Sequence, residues 1–249
     1  ITIPPPPVMS NGRVIITKEI NKEHNGKHLL LTDAEGGTVR ISEETSPHIL
    51  TVNSLEKDWT LCGSALKGDM RLIKQGQGAM TLYGNHSYTG ITELWEGTSY
   101  VYGSLESHVW LNRFAQLNTD GIYHEGITAE YGATLRIEGI GGKDTLTCSS
   151  VNLKNGAVME IDLFPDKTAD MLIVKDTLNI SEGAIFRFKY SNNESGSKLA
   201  GAYLIGEVAN INGNLNDVKI EGLNGCSYEL KFSNNKIYLI PMTKDAFSN

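Results

Sequence analysis

The chain has 249 residues, 40% hydrophobic and 20% charged, so it is too apolar for a disordered polymer, and no run reaches the ~18 apolar residues of a membrane-spanning helix. The formal charge is −7 with no basic cluster, which argues against a nucleic-acid partner. Together, 26 Gly and 20 Asn supply turn chemistry at a density that excludes an all-helical protein.

Reading from the N-terminus, Pro4–Pro7 is a four-proline run, extended and semi-rigid as linkers are. The chain opens at Ile1 without a charged-then-apolar leader, so it is expected to be a portion of a longer protein, with residues 1–7 as the linker. Residues 8–75 show strand-like alternation, as in Val14–Ile16 and Thr38–Ile41, and are read as N-terminal coils or a cap. His24 and His28 have helical metal spacing, but Asn25-Gly26 between them calls for a turn, and no metal or other cofactor is expected. Cys62, Cys148 and Cys226 are too far apart for a disulfide framework and are read as buried structural thiols.

Short period-two runs continue through Met80–Leu82, Tyr100–Tyr102, Thr134–Ile137, Val158–Ile161, Ile185–Phe188 and Ile237–Ile240, separated by Asn-Gly, Asp-Gly and Gly-Gly steps. The best helical stretch, residues 197–208, is interrupted by Gly201 and Gly206. The chain reads as all-β. Within it a unit apolar-x-apolar-x-x-Gly-small-x-apolar-x-apolar recurs, with its glycines at 97, 132, 156 and 183, spaced by 35, 24 and 27 residues. Such a unit cannot bury its apolar row alone, so stacking into a parallel β-helix is expected, with a β-sandwich as the runner-up. Stacked coils would direct Leu135, Ile137, Met159, Ile161, Phe186 and Phe188 into one core.

Residues 76–105, Gly76-Gln77-Gly78-Ala79-Met80-Thr81-Leu82-Tyr83-Gly84-Asn85-His86-Ser87-Tyr88-Thr89-Gly90 through Gly103-Ser104-Leu105, resemble the autotransporter-associated β-strand repeat; Leu94 and Ser99 stand where that motif has Val and Leu. Residues 169–174 and 201–205 resemble the later coils and closing segment of autotransporter passenger domains. The resemblance implies a right-handed parallel β-helix over residues 76–249, exported from a Gram-negative bacterium to the cell surface or medium.

Candidate chemistry is sparse. Asn118-Thr119-Asp120-Gly121 resembles one signature of the polygalacturonase-type glycoside hydrolases, yet the Asp-Asp and Gly-His-Gly elements that should accompany it are absent. A structural turn is therefore expected there. Asp162, Asp166 and Asp170 recur every four residues, but Pro165 prevents a helix from aligning them, and solvated loop acids are expected. Tyr83, Tyr88, Trp95, Tyr100, Tyr102 and Trp110 lie close together in sequence, and aromatic rings on a solenoid's side can stack on sugars. The expectation is a non-catalytic, exported module whose partner is a polysaccharide bound at Tyr83, Trp95, Tyr100, Tyr102 and Trp110, or a spacer within a larger polysaccharide-processing protein. A polysaccharide lyase or hydrolase, and an adhesin-type protein-binding surface, are the alternatives.

Overall fold

The structure is a computed structural model that describes residues 12–190, 201–223 and 227–242. Each coil begins with an odd-numbered strand and continues into an even-numbered one: β1 (Val14–Ile15) and β2 (Glu19–Ile20), β3 (His28–Leu31) and β4 (Gly37–Ile41), β5 (Ile49–Asn53) and β6 (Trp59–Gly63), β7 (Arg71–Gln75) and β8 (Met80–His86). There follow β9 (Thr92–Leu94) and β10 (Thr98–Leu105), then β11 (Val109–Leu111) and β12 (Gln116–Thr119). From β13 (Ile122–Ala129) with β14 (Thr134–Ile137), the odd strands bend and so also form a third side. They continue as β15 (Thr145–Leu153) with β16 (Val158–Leu163), β17 (Met171–Ile180) with β18 (Ile185–Tyr190), and β19 (Tyr203–Asn212) with β20 (Lys219–Glu221).

Odd strands pair in parallel with odd strands and even with even, save where the end of β10 (Ser104, Leu105) pairs in parallel with the start of β13 (Ile122, Tyr123), which is a parallel β-helix and not a sandwich. Residues 14–75 belong to the same ladders as the coils after them. At the far end a hairpin of β21 (Tyr228–Ser233) and β22 (Lys236–Pro241) lies antiparallel on β19 and occupies the edge that another coil would extend.

The register turns the alternating sequence into columns. On the inner side of the odd face Val14, Leu29, Leu50, Leu72, Thr92, Val109, Ile127, Val151, Leu178 and Ile211 stand one above another. Thr92 is the polar member, and its hydroxyl bonds Tyr88 Oη at 2.7 Å and Ser107 Oγ at 2.8 Å inside the core. On the even face Leu135, Met159 and Phe186 form one inward column, with Ile137, Ile161 and Phe188 also fully buried, as the repeat predicts.

A second odd-face column runs Leu31, Val52, Lys74, Leu94, Leu111, Ala129, Leu153 and Ile180. Lys74 is fully buried in it. Its Nζ donates to the carbonyls of Gln75 (3.1 Å), Gly76 (2.6 Å) and Glu96 (3.1 Å), and burial pushes its pKa down to about 8.

The glycines of the 76–105 motif are set by how closely the coils approach one another. At Gly90 a methyl group would run into the Asp69 and Met70 carbonyl oxygens. At Gly103, where φ is 133°, it would meet the Gly84 carbonyl.

Three expectations need correction. The 35-residue gap between Gly97 and Gly132 hides a whole coil, β11–β12, whose corner carries Phe114 where the repeat has glycine. Cys62 is half-buried on the outer side of β6, because Leu61 takes the inward position; Cys148 is a buried thiol, its pKa raised by burial, and Cys226 lies outside the described residues. Of the acids read as solvated, Asp170 is buried and accepts the Asp144 and Asp162 amides at 2.9 and 3.0 Å, and Asp162 lies beside Arg136. Asp166 is exposed and pairs with Lys143. The Pro4–Pro7 segment lies outside the described residues.

Candidate ligand-binding face

The outer side of the even-strand sheet carries aromatic and charged groups stacked from coil to coil. Even-strand residues whose neighbours face the core point outward, and the parallel register stacks them: Thr60, Thr81, Tyr100, Asn118, Arg136, Glu160, Arg187 and Glu221 form one column. Beside it Tyr83 faces Tyr102 on the next coil. The Tyr83 and Tyr102 rings are 5.4 Å apart between centroids, and Tyr100 and Tyr102 stack at 6.4 Å. Tyr83 is 37% exposed and the other two half-buried, so the three rings make a shallow platform.

Polar groups frame the platform. Asn118 receives the Gln116 side-chain amide at 2.7 Å and donates to Glu138 Oε2 at 2.5 Å. Burial, with the charges of Glu138, Tyr83, Tyr100 and Asp120 adding to it, raises the Tyr102 phenol to about 12, so it remains a neutral hydroxyl at ordinary pH. Further along, Glu160 is buried among Arg136 (3.3 Å), Arg187 (3.6 Å) and Lys189 (2.5 Å), and Arg187 also meets Glu221 at 2.9 Å. These partners neutralise one another across the coils, so this half of the face is an ion-pair lattice that ties successive coils together.

The five sequence-predicted residues fall in three places. Tyr83, Tyr100 and Tyr102 come together. Trp110 lies on the outer side of the odd-strand face, stacked by register between Glu93 and Thr128. Trp95 sits at the corner after β9, its indole N–H donating to Glu93 Oε2 at 3.1 Å. Tyr88 and Tyr123 are buried, each held by a threonine hydroxyl.

The turn expected at Asn118–Gly121 is only partly there: Asn118 and Thr119 end β12, whose pairing with β10 and β14 claims them, and Asp120-Gly121 alone link β12 to β13. Thr119 Oγ1 donates to the Val101 carbonyl at 2.7 Å and accepts from the Gly121 amide at 3.0 Å and the Tyr123 hydroxyl at 2.9 Å. Asp120 faces outward, its pKa raised by burial first and by Asp144 second, and both carboxylates border Gly139. His24 Nδ1 accepts the Asn21 amide at 3.1 Å, whereas the His28 ring packs on His48 at 5.1 Å, so the two histidines serve different contacts. Among the described residues no group of three or more His, Cys, Asp or Glu side chains is disposed to hold a metal ion, and no helix is long and apolar enough to cross a membrane.

Sequence reasoning missed Asn118 and Gln116 as platform neighbours and Phe114 as a corner residue. The signal for the last was present, since Val109-x-Leu111-x-x-Phe114-Ala115-x-Leu117 is the repeat with Phe in the glycine slot. No protein-family model matches the chain, and no curated protein matches it either.

Proposed function

We propose that the chain is a non-catalytic, glycan-binding β-helix module of a larger exported protein from a Gram-negative bacterium. The observation that carries this reading is the Tyr83–Tyr102–Tyr100 platform: three rings on an open, ridged sheet, bordered by the half-buried amide of Gln116, which the buried Asn118 holds in place. Aromatic faces stack on the apolar faces of pyranose rings and amides bond their hydroxyls, and a stacked solenoid side suits an extended polymer. The likeness of residues 76–105 to an autotransporter-associated repeat supports export, and the proline run supports attachment to further sequence. Affinity is expected to be weak, micromolar or poorer, to grow with oligosaccharide length, and to change little with salt, since the protein is acidic and the platform uncharged. A glycan array followed by calorimetry on wild type and Tyr102→Ala tests this. Absence of glycan binding by the wild type, or equal binding by the variant, refutes it.

One observation favours the hydrolase reading instead: the Asp120 and Asp144 carboxylates share the space beside Gly139, and the charge of Asp120 reaches Tyr102. Incubation with pectic polymers is expected to release no reducing ends; release that disappears in Asp120→Asn would establish the enzyme.

A further inference from the structure

Four successive corners between the odd and even faces have one construction. They are the four-residue turns 112–115, 130–133, 154–157 and 181–184, each closed by its last amide donating to its first carbonyl: Ala115 to Asn112 at 3.1 Å, Ala133 to Glu130 at 3.0 Å, Ala157 to Lys154 at 2.9 Å, and Ala184 to Ser181 at 3.1 Å. The closing alanines are buried. The third residue always takes left-handed backbone, with φ of 62°, 76°, 71° and 79°. It is glycine at 132, 156 and 183 and phenylalanine at 114. A side chain in that conformation costs roughly 1–2 kcal/mol, and Phe114 is 72% exposed, so burial offsets only part of that cost. Its ring does rest against the next corner, where a methyl at Gly132 would lie 2.8 Å from it. Asn155 covers Gly183 in the same way with a small polar group, so covering a corner glycine does not call for phenylalanine.

Beside Phe114 lies a groove of about 410 Å³ lined by Gln77, Trp95, Glu96, Asn112, Arg113 and Phe114. Trp95 is anchored through its hydrogen bond to Glu93, and the Arg113 guanidinium lies 5.5 Å over the Tyr131 ring, so two of the lining side chains have fixed partners. The charges of Glu96 and Arg113 cancel. We infer that this corner groove is a second carbohydrate subsite, which takes a neutral pyranose unit between Trp95 and Phe114 with Gln77, Asn112, Glu96 and Arg113 bonding its hydroxyls. The choice of ligand class rests on the glycan-binding reading above, but the site itself is separate from the tyrosine platform.

The test is calorimetric titration of wild type, Phe114→Gly and Tyr102→Ala with neutral β-1,4-glucan, β-1,3-glucan and β-1,4-mannan hexasaccharides, and with hexagalacturonate as the anionic arm. Phe114→Gly installs the residue that the other three corners use, so the fold is retained, and circular dichroism melting checks that directly. Affinity for a neutral hexasaccharide is expected to fall about tenfold in Phe114→Gly, with weaker or no binding of hexagalacturonate throughout. Unchanged affinity in Phe114→Gly overturns the corner subsite alone. Loss in Phe114→Gly with full binding by Tyr102→Ala supports the corner and overturns the platform. A wild type that binds none of the four overturns both, and preference for hexagalacturonate overturns the neutral-sugar assignment.

Discussion

Lys74 gives the sharpest test of the core. Its ammonium stands in a column between Val52 and Leu94 and is satisfied by three backbone carbonyls. The group titrates near 8 in the folded protein and near 10.4 in an unfolded chain. Below about pH 8 both states carry the proton, and burial of the charge opposes folding. Between about 8 and 10.4 the unfolded chain holds a proton that the folded one has released, so this residue's effect makes stability rise with pH, by about 3 kcal/mol across the window. Tyr88, Tyr123 and Cys148, raised by burial, act in the opposite sense at alkaline pH. They are present in both proteins, so the difference between wild type and Lys74→Met isolates the lysine. Urea unfolding from about pH 7.5 to about pH 10.5 measures it. A stability difference that stays flat across that range would show that the three carbonyls hold the ammonium as well as water does, and the argument from burial would be wrong.

Met159→Asp places a carboxylate between Leu135 and Phe186 and is expected to destabilise by several kcal/mol; a cooperative melt at the wild-type temperature would contradict the register. Gly103→Ala sets a methyl against the Gly84 carbonyl in left-handed backbone and is expected to lower the melting temperature by several degrees or more, whereas Gly142→Ala, with open space around it, is expected to lower it far less. Asp170, raised to about 7 chiefly by burial, stays protonated in the folded state where an unfolded aspartate has ionised. Relative to Asp170→Asn, wild-type stability is therefore expected to fall as pH rises from about 4 to about 7, and parallel curves from denaturant titrations would refute the assignment.

Composition and periodicity alone establish a chain of short strands joined by tight corners. Period-two apolar residues at Leu135–Ile137, Met159–Ile161 and Phe186–Phe188, each preceded by a corner of fixed length, require the rows to be buried against one another; a sandwich would also do this, and the parallel pairing of the structure decides for the β-helix. The sequence also marked the aromatic-rich stretch from Tyr83 to Trp110. What it left open was how those rings divide among faces. The corner between β9 and β10 is one residue shorter than the corner between β11 and β12, so side-chain phase cannot be counted through it, and only the pairing of Tyr102 with Tyr83 and of Trp110 with Glu93 separates the tyrosines from Trp110. The coil at Phe114 was hidden for a related reason. Glycine is the residue that tolerates left-handed backbone most readily, so a glycine search finds the corners at Gly132, Gly156 and Gly183 and passes over the like corner where Phe114 is held in that conformation. Lys74 and Asp170 look like surface residues in a list. Their burial was decided by the neighbouring coils, whose stacking removes water and supplies carbonyl and amide partners that no local run of sequence contains.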